Sequence, residues 1–278
     1  MPDRRLTFDD IRGCMALSRA AGWNQTPEDW RLVLDVGQAR GAVADGRIVG
    51  SAAVMPYGGF GWICMVLVAP DARRRGHATR LMGWAMETLE AGGLIAGLDA
   101  TPDGRAVYAR LGFRDVSRLT RWASVGAEVR AESGASTPCR RMTEVEFEAV
   151  ARDDAEVFGG DRRRVLAALR ARRPDLALIA GGAGAIEGYC FGRDGDLATH
   201  VGPVVARSDA VGQALIDAAT ARVGGAVIID LADRHVGIAR SLAAKGFAAR
   251  RPFTRMVRSD EEFGTDGAVI AVAGPELG

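Results

Sequence analysis

Lysine is almost absent from this 278-residue chain: of 36 basic residues, only Lys245 is not an arginine. With 36 glycines and abundant alanine, that skew reads as the codon bias of a GC-rich genome, so no single arginine carries weight by itself. Net charge is only +1, which excludes a global electrostatic attraction to nucleic acid. No uninterrupted apolar run reaches about 18 residues, so no membrane span is expected. Met1 to Arg5 lacks the apolar region of a signal peptide, and a cytoplasmic protein is expected. Cys14, Cys64, Cys139 and Cys190 contain no C-x-x-C pair; reduced, buried thiols are expected rather than a structural zinc, and no metal site is assigned. Two common phosphate-binding signatures are missing as well, the G-x-x-x-x-G-K-[ST] loop and the G-x-G-x-x-G turn.

What is present is a different anion site. Val66-Leu67-Val68 ends an apolar strand, Ala69-Pro70-Asp71-Ala72 turns, and Arg73-Arg74-Arg75-Gly76-His77-Ala78-Thr79 runs into a helix. The first turn of a helix has N–H groups without intrahelical partners and partial positive charge from the peptide dipoles. Gly76 and Ala78 let a ligand approach the backbone closely, and the arginines add charge and hydrogen-bond forks. A phosphate or pyrophosphate fits that chemistry.

The pattern R-x-x-G-x-A (Arg73, Gly76, Ala78) after V-x-P (Val68, Pro70) resembles motif A of the GNAT superfamily of acyl-CoA N-acyltransferases. About thirty residues on, Tyr108-Ala109-Arg110-Leu111-Gly112-Phe113 is similar to the Y-x-x-L-G-F of GNAT motif B. The resemblance implies that Arg73 to Thr79 hold the pyrophosphate of acetyl-CoA, with the backbone of Val66, Leu67 and Val68 along its pantetheine arm. It implies Tyr108 as the general acid for the departing thiolate. The family often has Asn before the motif B helix, where this chain has Thr101.

Apolar spacing predicts a helix over Phe8 to Ala21, and Thr26-Pro27-Glu28-Asp29 is a good helix start running to about Val36. A hairpin around Asp45-Gly46, a strand from Trp62 to Val68, a helix to about Ala91, a Leu98 strand, the Tyr108 helix and a Phe113 strand follow. That order, β-α-α-β-β-β-α-β-α-β, is that of a GNAT fold and accounts for residues 1–125. Residues 126–138 are small and polar and read as a linker. Residues 139–278 repeat the pattern: Gly246 follows Gly112, and Leu215 follows Leu81, by one offset of 134 residues. Pro203 falls near the place of Pro70. In this copy the loop has become Arg207-Ser208-Asp209-Ala210-Val211-Gly212, which puts a carboxylate toward the phosphate, and Leu242 stands where Tyr108 would be. The fold class expected is therefore α/β: two tandem GNAT-like domains, each a mixed, mostly antiparallel sheet flanked by helices. The resemblance, with Asp154 and Phe158-Gly159-Gly160-Asp161-Arg162, is to bacterial two-domain GNAT proteins with a degenerate second domain.

The resemblance implies direct attack of an amine on the acyl thioester, and a hollow between two tandem domains would favour a small-molecule amine as acceptor. The strand Trp62-Ile63-Cys64-Met65-Val66 has no carboxylate to act as base. His200 is the alternative there, for its near-neutral pKa, with Asp230 and His235 behind it. Asn24, Asp29, Trp30 and Trp62 are candidates for the acceptor side, although aromatic residues at helical spacing also build cores. The missing base leaves a non-catalytic acyl-CoA sensor as a second reading, and homodimer contacts through the degenerate half as a third.

Overall fold

The computed structural model describes residues 3–124, 137–182, 185–261, 264 and 266–278. The first half runs β1 (Arg4–Arg5), α1 (Ile11–Ala20), α2 (Pro27–Val36), β2 (Gln38–Ala44), β3 (Arg47–Pro56), β4 (Phe60–Val68), α3 (His77–Ala91), β5 (Ile95–Ala100), α4 (Pro102–Arg110) and β6 (Arg114–Ser124). The second repeats that order as β7 (Cys139–Arg141), α5 (Glu144–Phe158), α6 (Arg163–Arg172), β8 (Leu178–Ala180), β9 (Gly188–Arg193), β10 (Thr199–Ala206), α7 (Asp209–Thr220), β11 (Val227–Ala232), α8 (Val236–Ala244) and β12 (Phe247–Val257), then adds β13 (Val269–Ala271). The linker expected over 126–138 lies, up to residue 136, outside the described residues.

Local chemistry explains most element ends. Thr26 caps α2 through a reciprocal box: its Oγ1 accepts the Asp29 N–H, and the Asp29 carboxylate accepts the Thr26 N–H at 2.8 Å. Asp45 and Gly46 both have positive φ, 50° and 74°, as a two-residue hairpin turn between β2 and β3 requires. Gly112 and Gly246 take the left-handed conformation (φ 88° and 84°) just beyond α4 and α8, which explains their shared offset. The first helix departs from expectation. Its opening residues Phe8–Asp10 form a tight 3-10 turn, and Phe8, counted with the apolar face, is 57% exposed. Pro203 also differs from Pro70, lying within β10 rather than after its strand.

Among the described residues the two halves share one thirteen-stranded sheet, in the order β1-β2-β3-β4-β5-β12-β6-β11-β13-β10-β9-β8-β7. Its centre is an exchange. The last strand of the second half, β12, pairs antiparallel with β5 of the first, Thr254 opposite Ala100 and Val257 opposite Gly97. Reciprocally, β6 pairs with β11, Leu119 opposite Ala232 and Ala123 opposite Ile228. Strands β6 and β12 pair with each other along nearly their whole lengths. One face of the first half packs α1 and α2 around Trp30, Met55 and Trp62; the other packs Leu89, Ala85 and Met82 of α3 on Ile63, Leu98 and Met256. Among the described residues no helix is long and apolar enough to cross a membrane.

Candidate active site

Strands β4 and β5 are parallel and pair only from Phe60 opposite Ile95 to Trp62 opposite Gly97. Beyond Trp62 they diverge, and among the described residues no strand covers that edge of β4. A bulge helps to turn it: Ser51 pairs with Leu67 and Ala53 with Cys64, so Met65 and Val66 together face one residue of β3. Met65 has φ 51°, which costs a residue with a side chain about 1–2 kcal/mol. The fully buried Ser51 donates its hydroxyl to the Met65 carbonyl at 2.8 Å and pins the bend.

The open edge leads to the start of α3. Gly76 is its N-cap, with φ 78° and no side chain to cap the helix. Among the described residues, the N–H groups from Arg74 to Thr79 have no protein acceptor; Arg80 is the first to bond back, to the Gly76 carbonyl at 3.1 Å. Arg73, Arg74 and Arg75 are exposed and form no ion pair among the described residues, although Asp71, whose carboxyl Arg47 holds below its usual pKa, is near enough to feel Arg75 as well; Arg80 is held by Asp3 at 3.0 Å and contacts His77 Nδ1. The result is a cluster of unmet donors and cations at a positive helix end.

A cleft of about 620 Å³, counting its open mouth, runs through the gap between β4 and β5. Ile63 to Val66 form one wall; Leu98, Asp99, Thr101 and Tyr108 form another. Trp23 and Gln25 come from the α1–α2 connection, Arg121 from β6, Arg251 and Phe253 from β12, and Pro275 and Glu276 from the segment after β13. Tyr108 lies across its own helix because residue 104 is glycine: a Cβ there would sit 2.8 Å from the ring. Burial pushes the Tyr108 phenol up to about 12, so it keeps its proton throughout the neutral range. Asp99 is buried and bidentate with Arg255 at 3.0 and 2.9 Å; burial outweighs that cation and raises its pKa above the usual carboxylate value. Arg255 in turn lies 4.7 Å over the Trp62 ring.

The matching gap in the second half is closed. Strands β10 and β11 pair in parallel only at Thr199–Val227 and His200–Ile228, but β13 fills the fork: Ala271 pairs with both Val204 and Leu231. The start of α7 is satisfied internally, since Ser208 accepts the Val211 N–H at 3.4 Å and Asp209 occupies the first turn. Arg207 is tied to Asp153 at 2.6 Å.

The other sequence candidates fall in three places. Val66 lines the cleft, while Leu67 and Val68 continue the edge of β4 toward α3. Asn24 is fully engaged between the halves, accepting from the N–H groups of Leu197 and Ala198 and donating to the Ala198 carbonyl. Asp29 is buried against Arg172 at 2.6 Å and Arg193 at 3.6 Å; burial would raise its pKa, but the two arginines hold it below normal. Trp30 lies in the core, donating to Ser18 Oγ at 3.0 Å. Trp62 is buried with its indole N–H on the Pro275 carbonyl at 2.8 Å. His200 is buried 3.3 Å from Asp230, outside the cleft lining, and its pKa is lowered chiefly by burial. Asp230 holds Arg121 by two 2.7 Å bonds and so touches the cleft through that arginine. His235 bonds Asp209 at 2.6 Å and the Val269 carbonyl at 3.0 Å, beside β13. Sequence reasoning missed Gln25, Asp99, Arg251, Phe253 and Glu276. The last three belong to the second copy and reach the first site only through strand exchange and the segment beyond β13.

A splayed parallel strand pair, a bulged strand and an uncapped glycine at a helix start define the acyl-CoA N-acyltransferase class of fold. The comparisons agree. The family model described as "Acetyltransferase (GNAT) family" matches residues 10–113, and that described as "Acetyltransferase (GNAT) domain" matches residues 150–270. The chain belongs to the GNAT superfamily, as a tandem member. It is similar to the "Uncharacterized N-acetyltransferase YitH" of Bacillus subtilis, 22% identical over 245 residues, covering 87% of this chain and 86% of that protein. In fold it is similar to a putative acetyltransferase of Pyrococcus horikoshii (TM-score 0.79, 21% identity, 100% of this chain and 95% of that one). It is also similar to a tandem GNAT protein from the clavulanic acid biosynthesis pathway (TM-score 0.64, 16% identity, 94% and 99%).

Proposed function

We propose that the protein transfers an acetyl or other short acyl group from acetyl-CoA to the amine of a small molecule, at one site per chain. Residues 1–125 supply the acyl-CoA site and residues 139–278 complete the acceptor side. The observation that carries this reading is the contrast between the two forks. The first is open and leads to unmet N–H groups at Arg74 to Thr79; the second is filled by β13 and ends in a self-capped helix. Those residues fit coenzyme A: a free strand edge for its amide-bearing arm and a cationic, uncapped helix start for its pyrophosphate.

When bound, acetyl-CoA supplies the acyl group as a thioester, so that a C–N bond forms, the C–S bond breaks, and a proton passes overall from amine to thiol. Within this chain, the backbone edge from Ile63 to Val66 orients the reacting group and donates to developing negative charge on the carbonyl oxygen. Tyr108 holds the proton for the leaving sulfur. With its pKa raised by burial, the phenol is a weak donor until a thiolate forms beside it in the same apolar cleft. Asp99 and Glu276 are the carboxylates on the cleft wall that bring proton-accepting capacity to the amine, directly or through water.

Acceptor-dependent thiol release from acetyl-CoA tests the reading; tight acetyl-CoA binding with no release across a broad amine panel would leave a sensor instead. Tyr108→Phe is expected to lower kcat about a hundredfold while leaving the KM for acetyl-CoA within about twofold. Its melting temperature should not move, because the phenol oxygen has no protein partner among the described residues. Gly76→Glu should weaken acetyl-CoA binding about a hundredfold by calorimetry, since a carboxylate then faces the pyrophosphate and a side chain is forced to φ 78°. Unchanged binding in that variant would sink the coenzyme A assignment.

A further inference from the structure

Charge around the cleft is matched pair by pair, with one exception. Asp99 has Arg255, Asp230 has Arg121, and the buried Glu276 is hydrogen-bonded to Arg193. Arg251 lines the same cleft, half-buried, and has no carboxylate, carbonyl or aromatic partner among the described residues. Its register makes this costly. Arg251 lies directly opposite Arg121 across the β6–β12 ladder, just after a bulge at residue 250, and like charges at directly opposed positions destabilise a sheet. Across the cleft lining, Gln25 is 5% exposed, and its Oε1 finds no donor among the described residues. A buried amide oxygen without a donor costs about 1–3 kcal/mol. Among the described residues the cleft lining thus presents one unmet cation, Arg251, and one unmet acceptor, Gln25 Oε1, and the Glu276 carboxylate lines the same cleft.

We propose that the acceptor is an amino acid, its carboxylate held by Arg251 and its amine directed to Gln25 and Glu276. This rests on the acyltransferase reading and names the substrate class of that same site. A guanidinium matches a carboxylate with two parallel N–H bonds, so Arg251 supplies orientation as well as charge. An ammonium donates to an amide oxygen and a carboxylate; an acceptor lacking either end leaves one of these groups unmet. Phe253 and Trp23 line the same cleft and give an apolar side chain contact area.

The test is acetyl-CoA-dependent thiol release with paired acceptors: L-phenylalanine against L-phenylalaninamide, 4-aminobutanoate against 4-aminobutanamide, and O-phosphoethanolamine for the other common anion. Phenylalaninamide has the less basic amine and so more free base at neutral pH; a preference for the free acid cannot come from reactivity. Wild type should favour at least one free acid over its amide by tenfold or more in kcat/KM. Arg251→Met should abolish that preference by raising the amino-acid KM at least tenfold, with the KM for acetyl-CoA and the rate on amides unchanged and the melting temperature no lower, since the cation opposed to Arg121 is removed. Calorimetric titration of the preferred acid into protein saturated with coenzyme A should show the same loss. Turnover of amides or phosphoethanolamine at rates equal to or above the acids, or an Arg251→Met effect confined to acetyl-CoA, overturns the proposal and leaves the acyltransferase reading standing. Absence of thiol release with every amine overturns both.

Discussion

A chain ending at Ser124 is expected to give no folded monomer and to bind no acetyl-CoA, although it contains every residue of both sequence motifs. In the whole protein the free side of β5 is covered by β12, and Met256 of that strand is fully buried in the core formed by α3, β4 and β5. Removing one buried methionine side chain costs about 2–5 kcal/mol, and here an entire strand with its hydrogen bonds is lost. A domain is stable by only about 5–15 kcal/mol in total. Strand β6 is stranded too: eleven residues long, it pairs with β12 on one side and β11 on the other, and alone it has two open edges. Two truncated copies can meet that demand only by pairing with each other, so light scattering should show dimers or aggregate. Adding residues 137–278 in trans should restore a one-to-one complex and with it acetyl-CoA binding. A monomeric fragment that melts cooperatively and binds acetyl-CoA would show that β6 can fold back onto β5, contrary to this account.

How far the sequence could be read follows from the range of the forces involved. The hairpin at Asp45-Gly46, the cap at Thr26 and the helix stops at Gly112 and Gly246 depend on a few adjacent residues, and each stands where its chemistry put it. The Arg73 to Thr79 loop was legible for the same reason: strand, turn, glycine and helix are consecutive. The repeat was legible because one offset recurred twice. Exchange was not, since β12 pairs with β5 and β6 with β11 as easily as within their own halves; the alternation of buried and exposed residues is the same in either partner. The wall of the cleft contributed by the second half was hidden with it. Arg251 and Glu276 have no motif around them, and they line the cleft only once β12 and the segment after β13 cross to the first half. Phe8 illustrates the opposite error, an apolar residue at helical spacing in a turn that the helix does not include.

Asp154→Ala should be the most destabilising single substitution among these predictions, about 3–5 kcal/mol by urea unfolding. Asp154 on α5 and Arg162 just before α6 are both about 1% exposed, and the carboxylate accepts from Arg162 at 2.8 and 2.9 Å and from the Tyr189 hydroxyl at 2.9 Å. Truncating it leaves a guanidinium in the core with no side-chain counter-charge among the described residues, which costs more than the pair ever contributed. Arg162 has two further attachments: its Nη1 donates to the Gly278 oxygen at 2.9 Å, and its guanidinium lies 3.9 Å over the Phe158 ring. The Tyr57 hydroxyl donates to the neighbouring Leu277 carbonyl at 3.0 Å, so the same cluster fixes the segment that carries Glu276 into the cleft. Activity should therefore fall further than the unfolded fraction explains, through a raised acceptor KM at unchanged KM for acetyl-CoA. The double variant Asp154→Leu with Arg162→Met separates the two effects. It removes both charges and restores apolar volume, so most of the stability should return while the acceptor KM stays high, because the Gly278 anchor is still missing. A double variant as unstable as Asp154→Ala would instead mean that the hydrogen bonds to Tyr189 and Gly278, not the unpaired charge, dominate the loss.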